Sequence, residues 1–234
     1  MGEHPTLPAH VLAALYARTC DGGTLDELLR HVCVTAVEAV EGADEASVTL
    51  LTSRDAKTWG ATGDLALACD EAQYEVDGGP CLDAARANQI VVVPDMAQED
   101  RWPAAPKMAE AGSRCSLSLP LPVQGEAIGA LNLYSRRERA FDGSSVELGG
   151  EFASYAAVYV ANAVSYSSAA DQARQLQQAM ESRAVIEQAK GILIASTGCD
   201  ADEAFHLLVK QSQHENRKLR EVAAELVQLK RRVH

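Results

Sequence analysis

The sequence predicts an α+β protein. An N-terminal sandwich of an antiparallel sheet with flanking helices is followed by a helical connector and a C-terminal three-helix bundle. Three observations lead to this fold class. Five short runs rich in β-type residues, separated by turns, lie between positions 46 and 135. A stretch without proline from 144 to 180 reads as continuous helix. From Leu176 onward, apolar residues recur at steps of three and four, which is typical of an amphipathic helix.

The N-terminal elements are, in order, a helix, a break, a second helix and a hairpin of two strands. We expect their bounds at 8–19, 21–23, 24–42, 46–52 and 57–61, with the hairpin turn at 53–56. Thr24 and Glu27 have the spacing of a capping box, in which each side chain accepts a hydrogen bond from the other residue's backbone N–H. This box predicts the start of the second helix.

The middle of the chain alternates helices with strands. Helices are expected at 63–75, 81–87 and 104–111, and strands at 90–93, 114–123 and 127–135. The run Asp77-Gly78-Gly79-Pro80 is a strong turn signal, and Gln124-Gly125-Glu126 joins the last two strands as a hairpin. Five strands with antiparallel neighbours and helices around them predict the sandwich.

Three helices are predicted after position 174, and both breaks between them are marked. Gly198 is expected to close the first helix in a left-handed conformation. Asp200 and Glu203 form a capping box for the second helix, which fades in the polar run 211–215. Asn216 is expected to be the N-cap of the third helix. The predicted inward residues are Val185, Ile186, Ala189, Ile192, Leu193, Ala204, Leu207, Leu208, Leu219, Val222, Ala223 and Leu226.

Three cations follow the predicted N-cap. Arg217, Lys218 and Arg220 would occupy the first helical turn, where the macrodipole makes a cation unfavourable by about 0.3–1 kcal/mol. An anionic partner would reverse this sign, because free N–H groups and guanidinium groups both bind phosphate. The alternative is a solvated basic face on a surface helix.

Charge is divided unevenly along the 234 residues, whose formal net charge is −12. Residues 1–169 hold 24 acidic and 11 basic side chains, whereas residues 170–234 hold 9 and 10. The front part therefore lacks the clustered cations that nucleic-acid binding requires. The sequence has no signal-peptide pattern and no apolar run of about 20 residues, so we expect a cytoplasmic protein without a membrane partner.

Six cysteines, at 20, 33, 69, 81, 115 and 199, show neither C-x-x-C spacing nor metal-type pairing with histidines. We therefore expect no metal and no cofactor, and each thiol is expected to be a small buried apolar group. Redox sensing through Cys81 and Cys115 is the alternative. It requires a lowered thiol pKa and proximity in the fold.

The C-terminal segment resembles the ANTAR domain, the RNA-binding module of bacterial transcription antiterminators. Matching motifs are Ala189-Lys190-Gly191, Ala204-Phe205, Leu207-Leu208, Ser212, Asn216 and Lys218-Leu219. The chain departs from the family pattern at Ile194, Ser196 and Val209, where Met, Arg and a basic residue respectively are usual. The resemblance implies a dimer that binds paired hairpins of nascent RNA and keeps a terminator from forming.

The N-terminal part resembles the GAF domain, a small-molecule sensory module of the kind that precedes ANTAR domains in actinobacterial proteins. The matching motifs are DGGPCLDA, VVVPDM, RWP, SLSLPL and IGALNLYSRRERAFD. We assign 8–165 to the GAF domain, 166–180 to the helical connector and 174–234 to the ANTAR domain. The input, a small molecule or a protein, is unknown. Trp59, Tyr74, Cys81 and Trp102 either line a pocket or belong to the core.

The resemblance and the charge pattern together predict an RNA site. The expected contacts are Lys190, Lys210, Ser212, Asn216, Arg217, Lys218 and Arg220, with the cations on phosphates and the polar side chains hydrogen-bonding RNA. Asn216 and Ser212 have the alternative of capping, and Lys190 of solvation. The resemblance implies a homodimer. Ile194 lies outside the apolar stripe and predicts an intersubunit or inter-helix contact. Residues 144–165 are expected to pack on their own sheet.

Two other functions fit parts of the sequence. A DNA-binding regulator is one, since the last two helices have the lengths of a helix-turn-helix. A thiol enzyme acting through Cys81 or Cys115 is the other. The chain has no G-x-x-x-x-G-K-[ST], H-E-x-x-H or G-x-S-x-G motif, so we expect no enzyme.

Overall fold

A computed structural model describes residues 6–17, 23–52 and 55–231. Contacts divide the chain into two compact units, Met1–Ser167 and Ser168–His234, each of which is described by itself. Part of the predicted helix break at 21–23, the end of the first predicted helix at 18–19, part of the hairpin turn at 53–56, Cys20 and the last three residues lie outside the described residues.

The first unit contains the predicted five-stranded sheet. Its order is β2-β1-β5-β4-β3, and every neighbouring pair is antiparallel. The strands are β1 Glu45–Leu51, β2 Ala56–Ala61, β3 Val91–Val93, β4 Cys115–Val123 and β5 Glu126–Ser135. Gln124 and Gly125 both have positive φ, at 53° and 91°, which is the backbone of a tight hairpin turn between β4 and β5.

Helices flank this sheet as predicted. They are α1 Ala9–Ala17, α2 Leu25–Ala39, α3 Asp64–Glu75, α4 Pro80–Ala87, α5 Ala105–Glu110 and α6 Gly143–Thr197, with a short 3-10 turn at Met96–Gln98. The capping box of Thr24 and Glu27 is present at the start of α2. The continuous helix predicted over 144–180 is confirmed, and it extends to Thr197.

One face of the sheet packs against α1, α2 and the first part of α6. Leu117, Leu119 and Leu131 of the sheet are fully buried there together with Phe152 and Ala156 of α6. This confirms that residues 144–165 pack on their own sheet. Burying these apolar side chains is the main stabilising contribution in this unit.

The other face is covered by α3, α4 and α5. Its apolar cluster includes Leu65, Met96, Trp102, Met108 and Tyr134. Because both faces are covered, β1 is buried on both sides. Ser47 and Thr49 are fully buried beside their apolar neighbours.

The second unit is a three-helix arrangement of the C-terminal part of α6, α7 Ala201–Glu215 and α8 Leu219–Arg231. Gly198 follows α6 with φ of 76°, and the Asp200–Glu203 capping box opens α7, as predicted. The core contains Ala189, Leu208, Val222, Ala223 and Val227. No helix in the described part of the chain is long and apolar enough to cross a membrane.

Two expectations for α7 and α8 are wrong. The expected end of α7 is not one of them, since the helix ends at Glu215, the last residue of the polar run 211–215. Leu207 is 46% exposed and does not join the core. Asn216 has φ of 50° and ψ of 42° and closes α7 as its C-cap, so it is not the N-cap of α8. Asparagine tolerates this left-handed conformation because its short side chain can hydrogen-bond locally.

The start of the third helix shifts in consequence. Since α8 begins at Leu219, Arg217 and Lys218 precede the helix and only Arg220 lies in its first turn. The sequence predicted three cations in the first helical turn, where the macrodipole is unfavourable, but only Arg220 occupies it.

Candidate nucleic-acid interface

The turn between α7 and α8 is held by the polar residues that the sequence places there. Asn216 N donates to Gln213 O at 3.3 Å, and Arg217 N donates to Ser212 O at 3.0 Å. Ser212 Oγ donates to Arg217 O at 2.6 Å. Ser212 and Asn216 therefore shape the turn, and the structure brings both directly beside Arg217.

Arg217 is neutralised within the unit. Its Nη1 donates to Glu215 Oε2 at 2.9 Å and to Glu225 Oε2 at 2.7 Å. These two carboxylates raise the Arg217 pKa, with Glu225 contributing more. A hydrogen bond from Gln211, followed by those from Arg217, lowers the pKa of Glu215. Arg217 thus stands in the turn as part of a group with two negative charges and one positive charge.

Lys210, Lys218 and Arg220 are exposed and differ from Arg217 in having no ion pair to any described residue. Lys210 lies on the last turns of α7, and the other two flank the start of α8. Arg220 also lines an open recess of about 320 Å³ with Gln178 and Ser182 of α6. These three side chains carry the positive charge that a phosphate group would meet.

No side chain of a described residue caps the N-terminus of α8 by accepting a hydrogen bond. Lys218 occupies the N-cap position, and its carbonyl accepts from Glu221 N at 2.8 Å and Val222 N at 3.3 Å. Among the described residues, no hydrogen bond is made to Leu219 N or Arg220 N. Two N–H donors at the positive end of the helix dipole therefore lack a partner among the described residues, and two cations without a described ion-pair partner, Lys218 and Arg220, lie beside them.

Lys190 is separate from this turn. It lies on α6, its side chain is 17% exposed, and it is paired with Glu187 of the same helix at 3.1 Å. None of its hydrogen bonds or ion pairs to described residues reaches α7 or α8. The structure therefore gathers six of the seven predicted contacts around the α7–α8 turn and along the adjoining helices, but not Lys190.

Sequence reasoning missed the role of Glu225. The residue lies eight positions after Arg217, and only the reversal of direction between α7 and α8 brings their side chains together. Helical spacing of three or four, the usual signal for an ion pair, does not connect them.

The first unit contains a buried polar cluster between the sheet and α3. Asp70 is fully buried; Tyr134 Oη donates to its Oδ1 at 2.5 Å and Thr58 Oγ1 to its Oδ2 at 2.7 Å. Burial raises the Asp70 pKa to about 6, and these two hydroxyl donors limit the rise. Tyr74 Oη is 2.8 Å from Thr49 Oγ1 and 2.9 Å from Thr58 Oγ1, which extends the network.

Beside this cluster, three buried polar atoms have no hydrogen-bond partner in the part of the chain that the structure describes: Ser116 Oγ, Ser118 Oγ and Asn132 Oδ1. Ser118 and Asn132 are directly paired across β4 and β5. Such atoms destabilise a protein by about 1–3 kcal/mol each, which is why buried polar groups are usually satisfied.

The thiols and aromatic residues do not form one site. Cys81 and Cys115 are fully buried and desolvation raises the pKa of both, which disfavours the reactive thiolate. Trp59 packs with the cluster on one face of the sheet and Trp102 with the cluster on the other. Tyr74 instead lines an open polar pocket of about 450 Å³ with Asp77, Leu82 and Arg86. The described residues contain no group of three or more His, Cys, Asp and Glu that could hold a metal.

Two family models match the chain. The GAF domain model matches residues 23–161, and the ANTAR domain model matches residues 174–227. The second match covers α7, the α7–α8 turn and most of α8, and therefore includes every residue of the turn described above. A search of curated proteins found no match.

Solved structures resemble the first unit. The GAF domain from a phosphoenolpyruvate-protein phosphotransferase of Coxiella burnetii is 16% identical with a TM-score of 0.54, covering 68% of this chain and 95% of that one. Free methionine-R-sulfoxide reductase from Neisseria meningitidis, solved with its substrate, is 20% identical with a TM-score of 0.52, covering 67% and 89%. At these identities the similarity shows the fold alone.

Proposed function

Since the chain belongs to the GAF domain family and also carries an ANTAR domain, we propose that it is a homodimeric transcription antiterminator that binds hairpin RNA. ANTAR domains are RNA-binding antiterminator regulators, and GAF is a sensory domain. In this proposal the ANTAR domain binds hairpins of a nascent transcript, and the GAF domain controls that binding in response to a signal. Binding to nascent RNA would place the protein in the cytoplasm.

One observation supports the RNA surface. At the N-terminus of α8, the backbone N–H groups of Leu219 and Arg220 have no partner among the described residues, and the cations Lys218 and Arg220 form no ion pair with any of those residues. A phosphate at this position would accept hydrogen bonds from the backbone and gain from the helix dipole. It would also meet two cations, so the first-turn Arg220 becomes favourable where it was otherwise unfavourable. Lys210 on α7 extends the positive surface beyond the first phosphate.

The polar residues of the turn have a different part in the proposal. Ser212 and Asn216 fix the backbone so that the donors of α8 face outward, and Asn216 keeps its exposed side-chain amide for an RNA base. RNA hairpin loops display unstacked bases, which is where proteins read RNA sequence. Lys190 is the weakest of the expected contacts, because Glu187 neutralises it.

In this proposal, binding causes antitermination because it shifts the transcript from the terminator fold to the hairpin fold. A protein that binds the hairpin fold and not the terminator stabilises the former by about 2.7 kcal/mol when its concentration is about 100 times the Kd. Two short hairpins meeting two ANTAR domains of a dimer would bind more tightly than either hairpin alone, because the second contact is intramolecular.

The input is proposed to act on the first unit, at the polar pocket of about 450 Å³ that contains Tyr74. The Tyr74 hydroxyl connects this pocket to the buried network of Thr49, Thr58 and Asp70. A ligand or a partner that moves Tyr74 would therefore disturb a network in the middle of the sheet.

The two other functions have less support. A thiol enzyme would need a reactive thiolate, and burial raises the pKa of both Cys81 and Cys115. A DNA-binding regulator would use the same cations, and competition between hairpin RNA and duplex DNA separates it from the RNA reading.

The proposal is tested by crosslinking and recovering RNA from cells that express the full chain. The control is the triple variant Arg217→Ala, Lys218→Ala, Arg220→Ala. We expect enrichment of transcripts that carry two neighbouring small hairpins, lost in the variant and weakened by salt. Equal recovery by both proteins would contradict the proposed surface, and recovery of no hairpin transcript under any signalling condition would contradict the function.

A further inference from the structure

An open groove of about 350 Å³ lies between α7 and α8 in the second unit. Two carboxylates, Glu215 of α7 and Glu225 of α8, are part of its lining. The apolar part of the lining consists of Leu193, Leu207, Leu208, Val222, Leu226 and Leu229. We call this feature the acidic groove.

Two leucines of the acidic groove are largely exposed. Leu207 of α7 is 46% exposed, although its sequence position predicted a place in the core, and Leu229 of α8 is 54% exposed. Single exposed leucines are common on protein surfaces. Leucines that share one groove are less common and indicate a surface that another molecule covers.

Arg217 shows what the two carboxylates bind. Its Nη1 donates to Glu215 Oε2 at 2.9 Å and to Glu225 Oε2 at 2.7 Å. The three side chains are between 30% and 53% exposed, so water weakens these ion pairs and an arginine from outside the chain can take the place of Arg217. One guanidinium against two carboxylates leaves one negative charge unbalanced in the groove.

The apolar and acidic parts of the groove are separated along α7. Leu207 and Glu215 are eight residues apart on this helix, which corresponds to about 12 Å or two turns. Glu215 lies at the turn between α7 and α8, whereas Leu229 lies ten residues after the start of α8 at Leu219. The leucines therefore mark one end of the groove and Glu215 marks the other.

The unbalanced negative charge decides between possible occupants. RNA phosphates and anionic lipids would be repelled by Glu215 and Glu225. A second copy that presented the same groove about a two-fold axis would bring two such pairs of carboxylates together, which is also unfavourable. The complementary occupant has apolar side chains at one end and a cation at the other.

We propose that the acidic groove binds an amphipathic helix of a partner protein, with leucine-type side chains on the exposed leucines and an arginine on the two carboxylates. Grooves between helices receive ligand helices through anchors at positions i, i+3 or i+4, and i+7. These positions span two turns, which equals the separation of Leu207 and Glu215. A contact of this size is smaller than a standard protein interface, so we expect a Kd in the micromolar range.

Occupation of the groove would release Arg217. A partner arginine that takes the two carboxylates frees the Arg217 guanidinium for a phosphate, so the partner and the RNA would each strengthen the binding of the other. This coupling rests on the proposed function. The groove and its occupant do not depend on it.

The test is fluorescence anisotropy of labelled helical peptides of about 16 residues, titrated with the full chain at low salt. Each peptide has two leucines one turn apart and one arginine, and the peptides differ in whether the arginine follows after about three, four or seven positions. At least one spacing should bind with a micromolar Kd. A peptide in which glutamate replaces the arginine should bind much more weakly.

A variant of the groove identifies the apolar contact. Leu207→Gln, Leu229→Gln should raise the peptide Kd about 10-fold or more, because it removes both exposed leucines. The matched control Leu67→Gln, Val76→Gln makes the same kind of change at two exposed apolar residues of the first unit and should bind like wild type. Thermal unfolding verifies that both variants are folded.

A second pair of changes identifies the arginine contact. Glu225→Gln in the protein and an arginine-to-glutamine change in the peptide should each weaken binding about 5-fold, and together no more than either alone, because they remove the same contact. No binding by any peptide, equal binding by the Leu207→Gln, Leu229→Gln variant, or additive losses in this cycle would overturn the proposal. Recovery of RNA by the chain is measured without peptide and tests the proposed function separately.

Discussion

At the scale of single residues, Asp70 shows how a buried charge links stability to pH. Its pKa is raised from 3.8 to about 6, mainly because burial disfavours the charged form. Between about pH 4 and pH 6 the folded state therefore keeps a proton that the unfolded state has lost. Stability from this residue is highest below that window, falls as pH rises through it, and stays lower by about 3 kcal/mol above it.

The variant Asp70→Asn should remove this dependence. Between pH 4 and pH 7, the free energy of unfolding of the variant relative to wild type should rise by about 3 kcal/mol, because asparagine does not ionise. Denaturant unfolding of both proteins at several pH values measures this difference in the free energy of unfolding. Glu38→Gln, which removes an exposed carboxyl on α2, is the matched control for loss of one acidic side chain. A difference between Asp70→Asn and wild type that stays constant with pH would contradict the raised pKa.

The cations of the α7–α8 turn should differ in their effect on RNA binding. Lys218→Ala and Arg220→Ala should each reduce the slope of log Kd against log salt by about 0.7–0.9, since each loses one phosphate contact. Arg217→Ala should reduce it less, because Glu215 and Glu225 already neutralise that guanidinium. Titration of a recovered hairpin transcript at several salt concentrations gives these slopes. If all three variants reduced the slope equally, RNA would have to displace both carboxylates from Arg217.

At the scale of elements, the end of α7 depends on the left-handed Asn216. Because its φ is 50°, Asn216→Gly should keep or slightly increase the thermal midpoint, whereas Asn216→Ala should cost about 1 kcal/mol. Asn216→Ser distinguishes the two capping roles, since serine is a good N-cap but a poor left-handed residue. If Asn216→Ser were as stable as wild type and Asn216→Gly were destabilised, the result would favour Asn216 as the N-cap of α8 over Asn216 as the C-cap of α7.

Local signals predicted most elements and their ends. Thr24 with Glu27, Asp200 with Glu203, and Gly198 all have their expected roles, because capping depends on a few neighbouring residues. The prediction of Asn216 as an N-cap was wrong because asparagine suits both an N-cap and a left-handed C-cap. The polar run 211–215 correctly marked the end of α7, which is at Glu215.

Features that depend on distant residues were not predictable. Asp70, Tyr134 and Thr58 come from α3, β5 and β2, and only the folded sheet brings them together. The ion pair of Arg217 with Glu225 depends on the turn between two helices. Sequence reasoning thus located the candidate RNA residues but did not show which of them are already neutralised.

At the scale of the whole molecule, pairing of two copies should be visible in amide exchange. Residues 171–181 are exposed on a helix within one chain, so their amides should exchange quickly in the monomer. Exchange should slow as protein concentration rises, whereas exchange in β4 and β5 should not depend on concentration. The Leu176→Glu, Met180→Glu variant should exchange quickly throughout. Concentration-independent exchange in 171–181 would contradict pairing through this segment.

The central claim is that the second unit binds hairpin RNA through the α7–α8 turn. The most direct measurement is competition for the full chain between a labelled transcript with two hairpins and unlabelled competitors at fixed salt. We expect the two-hairpin RNA to compete best, a single hairpin less, and duplex DNA of equal length least. The Lys218→Ala, Arg220→Ala variant should lose this preference. Equal or better competition by duplex DNA, with the same variant unaffected, would contradict the account.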